Sequence, residues 1–336
     1  MLTVYVPRGA CLERTDVPAG SALPENGIWF DLVSPTIAED KLLERHLGIA
    51  VPTREEMQEI EVTSRLYVEN NARYMTATLM CQSDSDTPKT TAVTFILSGH
   101  RLVTVRYDDP KPFTIVGTKL CRVSPPGAAA AAPGTITTAT GETVLMELLD
   151  AIIDRAADIL ERIGVDVDQV SHDIFEPEQS GSASARNYRN ILKAIGRKGD
   201  LTSKVRESLV SIGRVLLYLA NEADNMRWAK EMSGELRGMQ RDVQSLSDHA
   251  AYLSNKITFL LDAMLGVVNL EQNNIIKLFS VVAVVFMPPT LVASIYGMNF
   301  KHMPELGWEY GYYLALVVML LAAVGPVAFF KWKKWF

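Results

Sequence analysis

The chain has 336 residues, with 33 Lys and Arg against 39 Asp and Glu, and its formal net charge is −6 at pH 7. An acidic chain of this kind is a poor partner for nucleic acid and suits cations. Its three cysteines lie far apart and form no CxxC or Cys/His cluster, which argues against a disulfide framework or a structural zinc site. The first residues lack the basic and apolar segments of a signal peptide, so none is expected.

Residues 1–125 predict an α/β domain. Short runs rich in β-branched and aromatic residues, bounded by Gly, Asn, Asp and Pro, are typical of strands. The predicted strands are Thr3–Val6, Ile28–Val33, Arg65–Val68, Arg73–Met80, Thr91–Leu97 and Leu102–Tyr107. Two helices are predicted, Thr36–Leu47 and Thr53–Ile60. Asn70-Asn71 lies between two strand runs and predicts a hairpin turn.

The middle of the chain predicts helices only. Residues 126–141 are rich in Ala, Pro, Gly and Thr and indicate a linker or loop. Residues 142–223 contain two long amphipathic segments, Glu142–Phe175 and Ala185–Ala220. Residues 224–277 predict a stalk helix, because apolar residues alternate steps of three and four over about four heptads. They are Leu236, Met239, Val243, Leu246, Ala250, Leu253, Ile257, Leu260, Met264 and Val267.

The stalk helix and the first apolar stretch read as one helix of about 60 residues, about 90 Å long. Such a helix requires either a bundle with the two preceding helices or self-association. Residues 278–300 and 310–330 carry no charged side chain and are long enough to cross a bilayer, which needs about 20 apolar helical residues. The connector 301–309 is expected outside and the basic tail 331–336 inside, since Lys residues flank the cytoplasmic ends.

Polar residues near the first span share one side of its helix. Their spacings are sums of three- and four-residue steps, and apolar residues fill the gaps. The polar set is Asp262, Asn269, Asn273, Ser280 and Thr290, and the apolar set is Leu265, Ile276, Ala283 and Met287. Repeated around a symmetry axis, this side would form alternating polar and apolar rings, which can hold a hydrated ion and gate by dewetting. The alternative is a set of helix contacts in a two-span anchor.

The turn after the first span reads Tyr296-Gly297-Met298-Asn299. Gly297 allows a positive φ and an abrupt helix end. Asn299 then presents a carboxamide at the rim. Mg²⁺ loses its water ligands reluctantly, and a neutral amide oxygen can accept hydrogen bonds from those waters. A plain helix-capping turn is the alternative.

The surroundings of this turn resemble the signature of the CorA family of divalent-cation transporters. The resemblance is carried by the segments Tyr296-Gly297-Met298-Asn299-Phe300, Met303-Pro304-Glu305-Leu306 and Phe286-Met287-Pro288, together with Thr290 and Trp308. It is strongest from about Leu260 to Trp308. It implies an α/β cytoplasmic domain, long helices and two transmembrane helices in a funnel-shaped homopentamer. It also implies uptake of Mg²⁺, with Co²⁺ and Ni²⁺ passing, across the inner (plasma) membrane of a prokaryote, gated by cytoplasmic Mg²⁺ and without an organic cofactor.

The resemblance also implies roles for individual residues. Gly297, Met298 and Asn299 would form the selectivity ring, with Asn299 contacting the hydrated ion. The pore-lining set would be Asp262, Leu265, Asn269, Asn273, Ile276, Phe279, Ser280, Met287 and Thr290, with Asp262 as a second metal contact. Glu305 in the external loop would attract cations, although Lys301 stands where an acid is common. Lys331, Lys333 and Lys334 would surround the cytoplasmic exit or anchor the tail.

Some alternatives stay open at this stage. A ZntB-type zinc transporter shares the architecture but usually carries another residue in place of Met298. A membrane-anchored coiled-coil scaffold without a pore is the second alternative. An enzyme is the weakest, because no nucleophile–base pair or cofactor loop is recognisable. The regulatory metal site has no clear match, and the candidates are the loop acids Asp84, Asp86, Asp108 and Asp109.

Overall fold

The computed structural model describes residues 1–121, 140–175, 185–299, 303 and 307–333, except 10, 19, 60, 86 and 227. The chain divides into two compact units, Met1–Leu261 and Asp262–Phe336. Helix α7 contributes residues to both units.

The first unit is built on a seven-stranded sheet in the order β2-β1-β3-β7-β6-β5-β4. The strands are β1 (Leu2–Arg8), β2 (Cys11–Val17), β3 (Trp29–Val33), β4 (Leu66–Glu69), β5 (Ala72–Cys81), β6 (Lys89–Ser98) and β7 (Arg101–Arg106). Strands β3 and β7 pair in parallel, and the other neighbouring pairs are antiparallel. The predicted α/β fold class is therefore confirmed for this domain.

One face of the sheet buries the first apolar core. Alternate residues of a strand point to opposite faces, so Leu2 and Val4 of β1 share this face with Phe30 and Leu32 of β3. The core also takes in residues from α1 (Ile37–Leu47) and α2 (Arg54–Met57), among them the fully buried Leu43. Short helix α3 (Val62–Arg65) leads directly into β4.

Helices α1 and α2 begin at complete capping boxes. Thr36 accepts a hydrogen bond from the Glu39 backbone N–H, and Glu39 accepts one from Thr36 in return. Thr53 and Glu56 repeat the arrangement at α2. The prediction of a helix over Thr53–Ile60 was too long, because α2 ends at Met57.

The opposite face of the sheet contacts α4 (Lys111–Leu120), α5 (Gly141–Phe175) and α6 (Ala185–Glu222). Trp29 lies on this face, stacked on Tyr5 with ring centroids 4.2 Å apart, and its indole donates to Thr104. Thr104 donates in turn to Asp31, which is ion-paired with Arg106. This face therefore combines apolar packing with a buried chain of polar groups.

Helices α5 and α6 pack with the first part of α7 (Lys230–Tyr296) as a bundle within one chain. Two glycines of α6 allow α7 to approach closely. A Cβ added at Gly213 would lie 3.4 Å from Val243, and one at Gly199 would lie 3.6 Å from Ile257. Phe175 and Phe259 stack with ring centroids 6.2 Å apart. The predicted heptad seam is buried except at Leu246 and Val267, which are half-buried. Up to Leu261 the seam is thus covered by the chain's own helices.

The second unit contains the rest of α7 and α8 (Gly311–Trp332). Both helices contain a segment long and apolar enough to cross a membrane, with mean hydropathy 2.2 and 2.4. None of the segment in α7 and 6% of that in α8 is buried within the chain. Apolar surface of this extent requires lipid or other subunits around it. Helix α7 begins six residues later than predicted and continues through Pro288 and Pro289.

Candidate functional site

The predicted pore residues all lie on α7, and each is exposed in the single chain. They are Asp262, Leu265, Asn269, Asn273, Ile276, Phe279, Ser280, Met287 and Thr290. At 3.6 residues per turn, these nine positions fall within a sector of about 120°. We call this set the pore stripe. The stripe combines one acid, four neutral polar side chains and four apolar ones on one side of a continuous helix.

The two hydroxyl groups of the pore stripe are hydrogen-bonded to their own helix. Ser280 Oγ donates to the Ile276 carbonyl over 2.8 Å, and Thr290 Oγ1 donates to the Phe286 carbonyl over 2.6 Å. Because each hydroxyl hydrogen is used within the helix, the oxygen is left with lone pairs directed away from it. Both side chains are therefore acceptors, and an acceptor is the group that a metal-bound water requires.

A shallow surface groove lies near the C-terminal end of the stripe. It is lined by Ala283, Phe286, Met287, Thr290, Leu291 and Ser294. The groove thus brings Met287 and Thr290 together with Phe286, Leu291 and Ser294. The sequence did not predict these last three residues to line the pore. The available signal was spacing, since Leu291 and Ser294 lie four residues after Met287 and Thr290.

The Gly297-Met298-Asn299 turn, predicted to form the selectivity ring, follows directly after α7. The helix ends at Tyr296, Gly297 N–H donates to the Ala293 carbonyl over 2.9 Å, and Met298 N–H donates to Ile295 over 3.3 Å. Met298 and Asn299 are exposed. Gly297 does not use the positive φ that a glycine allows, and helical hydrogen bonding continues through it at the end of α7.

A Cβ added to Gly297 would lie 3.2 Å from the Ala293 carbonyl oxygen, which is the carbonyl four residues earlier that accepts the Gly297 N–H. Phe300, Lys301 and Glu305 lie outside the described residues.

Helix α8 ends in exposed aromatic and basic side chains. Trp332 is 80% exposed, and Lys331 and Lys333 are exposed. The Lys333 ammonium lies 5.6 Å from the centroid of the Phe329 ring. Such residues suit a membrane–water interface, where aromatic rings and Lys side chains anchor a helix end. Lys334 lies outside the described residues.

The loop acids considered for a regulatory metal site are engaged by basic side chains. Asp84 is ion-paired with Lys111, Arg155 and Arg162. Hydrogen bonding from Lys111, followed by Arg162 and the charge of Arg155, holds the pKa of Asp84 well below its usual range. A carboxylate surrounded by three cations is a poor ligand for a divalent metal.

The same holds for the neighbouring acids. Asp108 is ion-paired with Lys89 over 2.6 Å, and Asp109 with the buried Arg106. Asp86 lies outside the described residues. Within the described part of the chain, no three or more His, Cys, Asp or Glu side chains are grouped so that they could hold a metal ion. The loop acids therefore act as partners of basic side chains within one chain.

Comparisons with known proteins agree with the arrangement of these elements. A family model described as "CorA-like Mg2+ transporter protein" matches residues 24–334. The magnesium transport protein CorA of Escherichia coli K12 is 32% identical over 335 residues, which cover 100% of both chains. The structure of the CorA magnesium transporter from Methanocaldococcus jannaschii matches with a TM-score of 0.71 at 18% identity, covering 98% of this chain and 97% of that one. The full-length CmaX protein matches with a TM-score of 0.67 at 14% identity, covering 100% and 96%.

Proposed function

The chain belongs to the CorA-like Mg²⁺ transporter family, and we propose that it conducts hydrated Mg²⁺ into the cell along the pore stripe of α7. The observation that carries this proposal is the stripe itself. A single helix of 67 residues presents it and ends at Gly297-Met298-Asn299. Two of its polar side chains, Ser280 and Thr290, lie within the predicted span 278–300, where polar groups are more often directed to other helices or to a water-filled path than to lipid.

The chemistry of the stripe suits an ion that keeps its waters. Mg²⁺ holds water at about 2.1 Å and releases it reluctantly, so its outer surface consists of water hydrogens. The Asn299 carboxamide and the hydroxyl oxygens of Ser280 and Thr290 can accept hydrogen bonds from those waters. Neutral acceptors hold the ion weakly enough for it to leave, which conduction requires.

The remaining stripe residues would set where the ion pauses and where it is blocked. Asp262 is the single acid of the stripe and attracts a cation by its charge. Four stripe residues are apolar: Leu265, Ile276, Phe279 and Met287. Rings of apolar residues can close a pore by dewetting. The proposed path therefore alternates acceptor rings with apolar constrictions.

A pore of this kind needs several copies of the chain. The family resemblance implies a homopentamer, and the unburied apolar surface of both spans supports association in a bilayer. We place both termini in the cytoplasm, because Lys277 and the basic tail flank the inner ends. A divalent ion moving inward gains about 4.6 kcal/mol per 100 mV of inside-negative potential, from about 2.3 kcal/mol per charge. Transport then requires no nucleotide hydrolysis.

Closure by cytoplasmic Mg²⁺ is part of the proposal, and it places the regulatory ion between subunits. Asp84, Asp108 and Asp109 are paired with basic side chains of their own chain. Other acidic residues, on exposed helix faces, are therefore the ones that could bind Mg²⁺ where two copies of the chain meet. Bound Mg²⁺ would then hold neighbouring cytoplasmic domains together and keep the pore closed.

The test is ion uptake into liposomes containing the purified full-length protein. With an inside-negative potential, we expect Mg²⁺ uptake, detected by an encapsulated magnesium indicator, with Co²⁺ and Ni²⁺ also entering. Zn²⁺ should be measured in parallel, because a ZntB-type transporter shares the architecture. Zn²⁺ uptake without Mg²⁺ uptake would contradict the proposal, as would no uptake of any of these ions.

A further inference from the structure

The first unit contains a partly open cavity of about 580 Å³ on the face of the sheet that contacts α4. It lies between α4 and the strands β1, β2 and β3, with Arg106 from the end of β7. Its lining is Met1, Thr3, Tyr5, Arg14, Asp31, Val33, Arg106, Asp109, Phe113, Thr114, Gly117, Thr118 and Cys121. A volume of this size falls in the range of small-molecule sites, about 300–1,000 Å³.

The cavity occupies a favourable place in the sheet. Strands β3 and β7 are the parallel pair, and they end at Val33 and Arg106, which both line the cavity. On its other side β3 pairs with the antiparallel β1. Ligands often bind beside the carboxyl ends of parallel strands. The cavity lies beside the ends of this parallel pair.

The floor of the cavity carries a buried ion pair. Asp31 is 4% exposed and Arg106 is 7% exposed. Both oxygens of Asp31 accept hydrogen bonds from Arg106, and one also accepts from Thr104. Arg106 uses four of its five N–H groups on Asp31, Asp109 and the Asp108 carbonyl. The acceptors are therefore engaged, which disfavours a metal ion, while one donor of Arg106 is left.

A second donor, the phenol of Tyr5, also has no partner. Tyr5 is 5% exposed, and none of the hydrogen bonds among the described residues uses its hydroxyl. Gly117 of α4 lies opposite: a Cβ there would be 2.7 Å from the Tyr5 oxygen. Burial, followed by the charge of Asp31, raises the pKa of Tyr5 to about 12, so the hydroxyl keeps its proton and can donate.

We propose that this cavity binds a small organic carboxylate with an apolar body. The donors of Tyr5 and Arg106 would face the carboxylate. Arg14 of β2 also lines the cavity, and its guanidinium is ion-paired with Asp16 over 3.2 Å. Val33 and Phe113 offer apolar contact to the rest of the molecule. This site is separate from the pore stripe, and the proposal does not depend on the proposed transport.

The test uses benzoate as the probe and the full-length protein in lipid nanodiscs, with empty nanodiscs subtracted. Saturation-transfer-difference NMR should show saturable benzoate binding. Tyr5→Phe removes only the hydroxyl and should weaken binding roughly tenfold or more, the usual effect of losing a hydrogen bond to a charged group. Thr114→Trp places a large ring in the cavity and should abolish binding.

The controls separate the site from lipid and from misfolding. Ile115→Trp alters the same helix, but Ile115 is 54% exposed and does not line the cavity, so binding should be retained. Benzamide has the same shape without the charge and should bind much more weakly. The melting temperature of each variant in nanodiscs reports on folding. Absence of saturable benzoate binding, equal binding of benzamide, or unchanged binding in both Tyr5→Phe and Thr114→Trp would overturn the proposal.

Discussion

Asp84 shows how a single carboxylate connects three elements of the first unit. It lies in the loop between β5 and β6 and is ion-paired with Lys111 of α4 and with Arg155 and Arg162 of α5. Arg155 also donates to Ser83 over 2.9 Å. From the sequence, Asp84 was a candidate metal ligand. Its three basic partners are distant in the chain, so only the fold shows that they surround it.

The low pKa of Asp84 predicts a pH dependence of stability. A carboxyl group whose pKa is lower in the folded than in the unfolded state stabilises the fold above its unfolded pKa of about 3.9. That contribution is lost as the pH falls below about 4 towards the folded pKa. We therefore expect the melting temperature of the purified protein to fall with pH in this window, and Asp84→Asn to flatten the fall.

At neutral pH, Asp84→Asn should cost about 1 kcal/mol, since the pairs are partly solvent-exposed. Asp158→Asn is the matched control. Asp158 is also an acid beside Arg155, but its side chain is 66% exposed and its carboxylate lies 3.9 Å from the guanidinium, so the pair is weak. It should leave the pH profile unchanged. An identical acid profile in wild type and Asp84→Asn would show that the network does not stabilise the fold.

At the scale of elements, the long helices were the most predictable part of the chain. The predicted Glu142–Phe175 and Ala185–Ala220 differ from α5 and α6 by one or two residues at one end. Their long apolar periodicity leaves little alternative to a helix. All six predicted strands also overlap observed strands, and no strand end differs by more than two residues.

Three elements of the described first unit were missed: β2, the one-turn helix α3 and α4. A physical reason can be given for β2 and α4. Strand β2 is an edge strand of mostly exposed polar residues, with only Leu12 buried, so it lacks an alternating apolar pattern. Helix α4 begins after Pro110 without a side-chain cap, so its start is marked only by Pro112 in the first turn. Both border the cavity proposed above, so sequence alone could not have located it.

The start of α5 is fixed by the absence of a side chain at Gly141. A Cβ there would lie 2.6 Å from the Arg101 carbonyl carbon and from the Leu102 nitrogen, which are backbone atoms of β7. Because backbone cannot move aside as a side chain can, we expect Gly141→Ala to lower the free energy of unfolding by about 1–3 kcal/mol. The melting temperature of the detergent-solubilised protein measures this.

Gly196→Ala provides the comparison within α6. A Cβ at Gly196 meets nothing within 4 Å, so the exchange should be neutral or stabilise the helix by roughly 0.5–1 kcal/mol. Equal melting temperatures for the Gly141 and Gly196 variants would mean that α5 is not held against the β6–β7 turn.

At the scale of the whole molecule, the proposed pore requires more than one copy of the chain. Both membrane segments are almost wholly exposed within the chain, and the pore stripe encloses nothing by itself. Several copies arranged around an axis would cover these surfaces and close a path. The stripe could be predicted from sequence because helical spacing fixes which residues share a side. The number of copies could not, since spacing along one helix does not determine the symmetry.

The assembly makes a direct prediction. Native mass spectrometry of the full-length protein released from detergent micelles should give the mass of five chains. Removal of Mg²⁺ should leave the pentamer intact, because the spans themselves hold the copies together. A monomer or dimer under these conditions would instead favour the scaffold without a pore.

The most direct test of the central claim is Mg²⁺ flux through the reconstituted protein, comparing wild type with Asn299→Ala. Loss of the carboxamide removes the first acceptor for the waters of the ion, so Mg²⁺ uptake should fall about tenfold or more. Asn274→Ala is the matched control, since Asn274 is exposed on α7 but points about 100° away from Asn273 and outside the pore stripe. Its uptake should equal that of wild type. Wild-type Mg²⁺ uptake in Asn299→Ala would contradict the placement of Asn299 at the mouth of the pore.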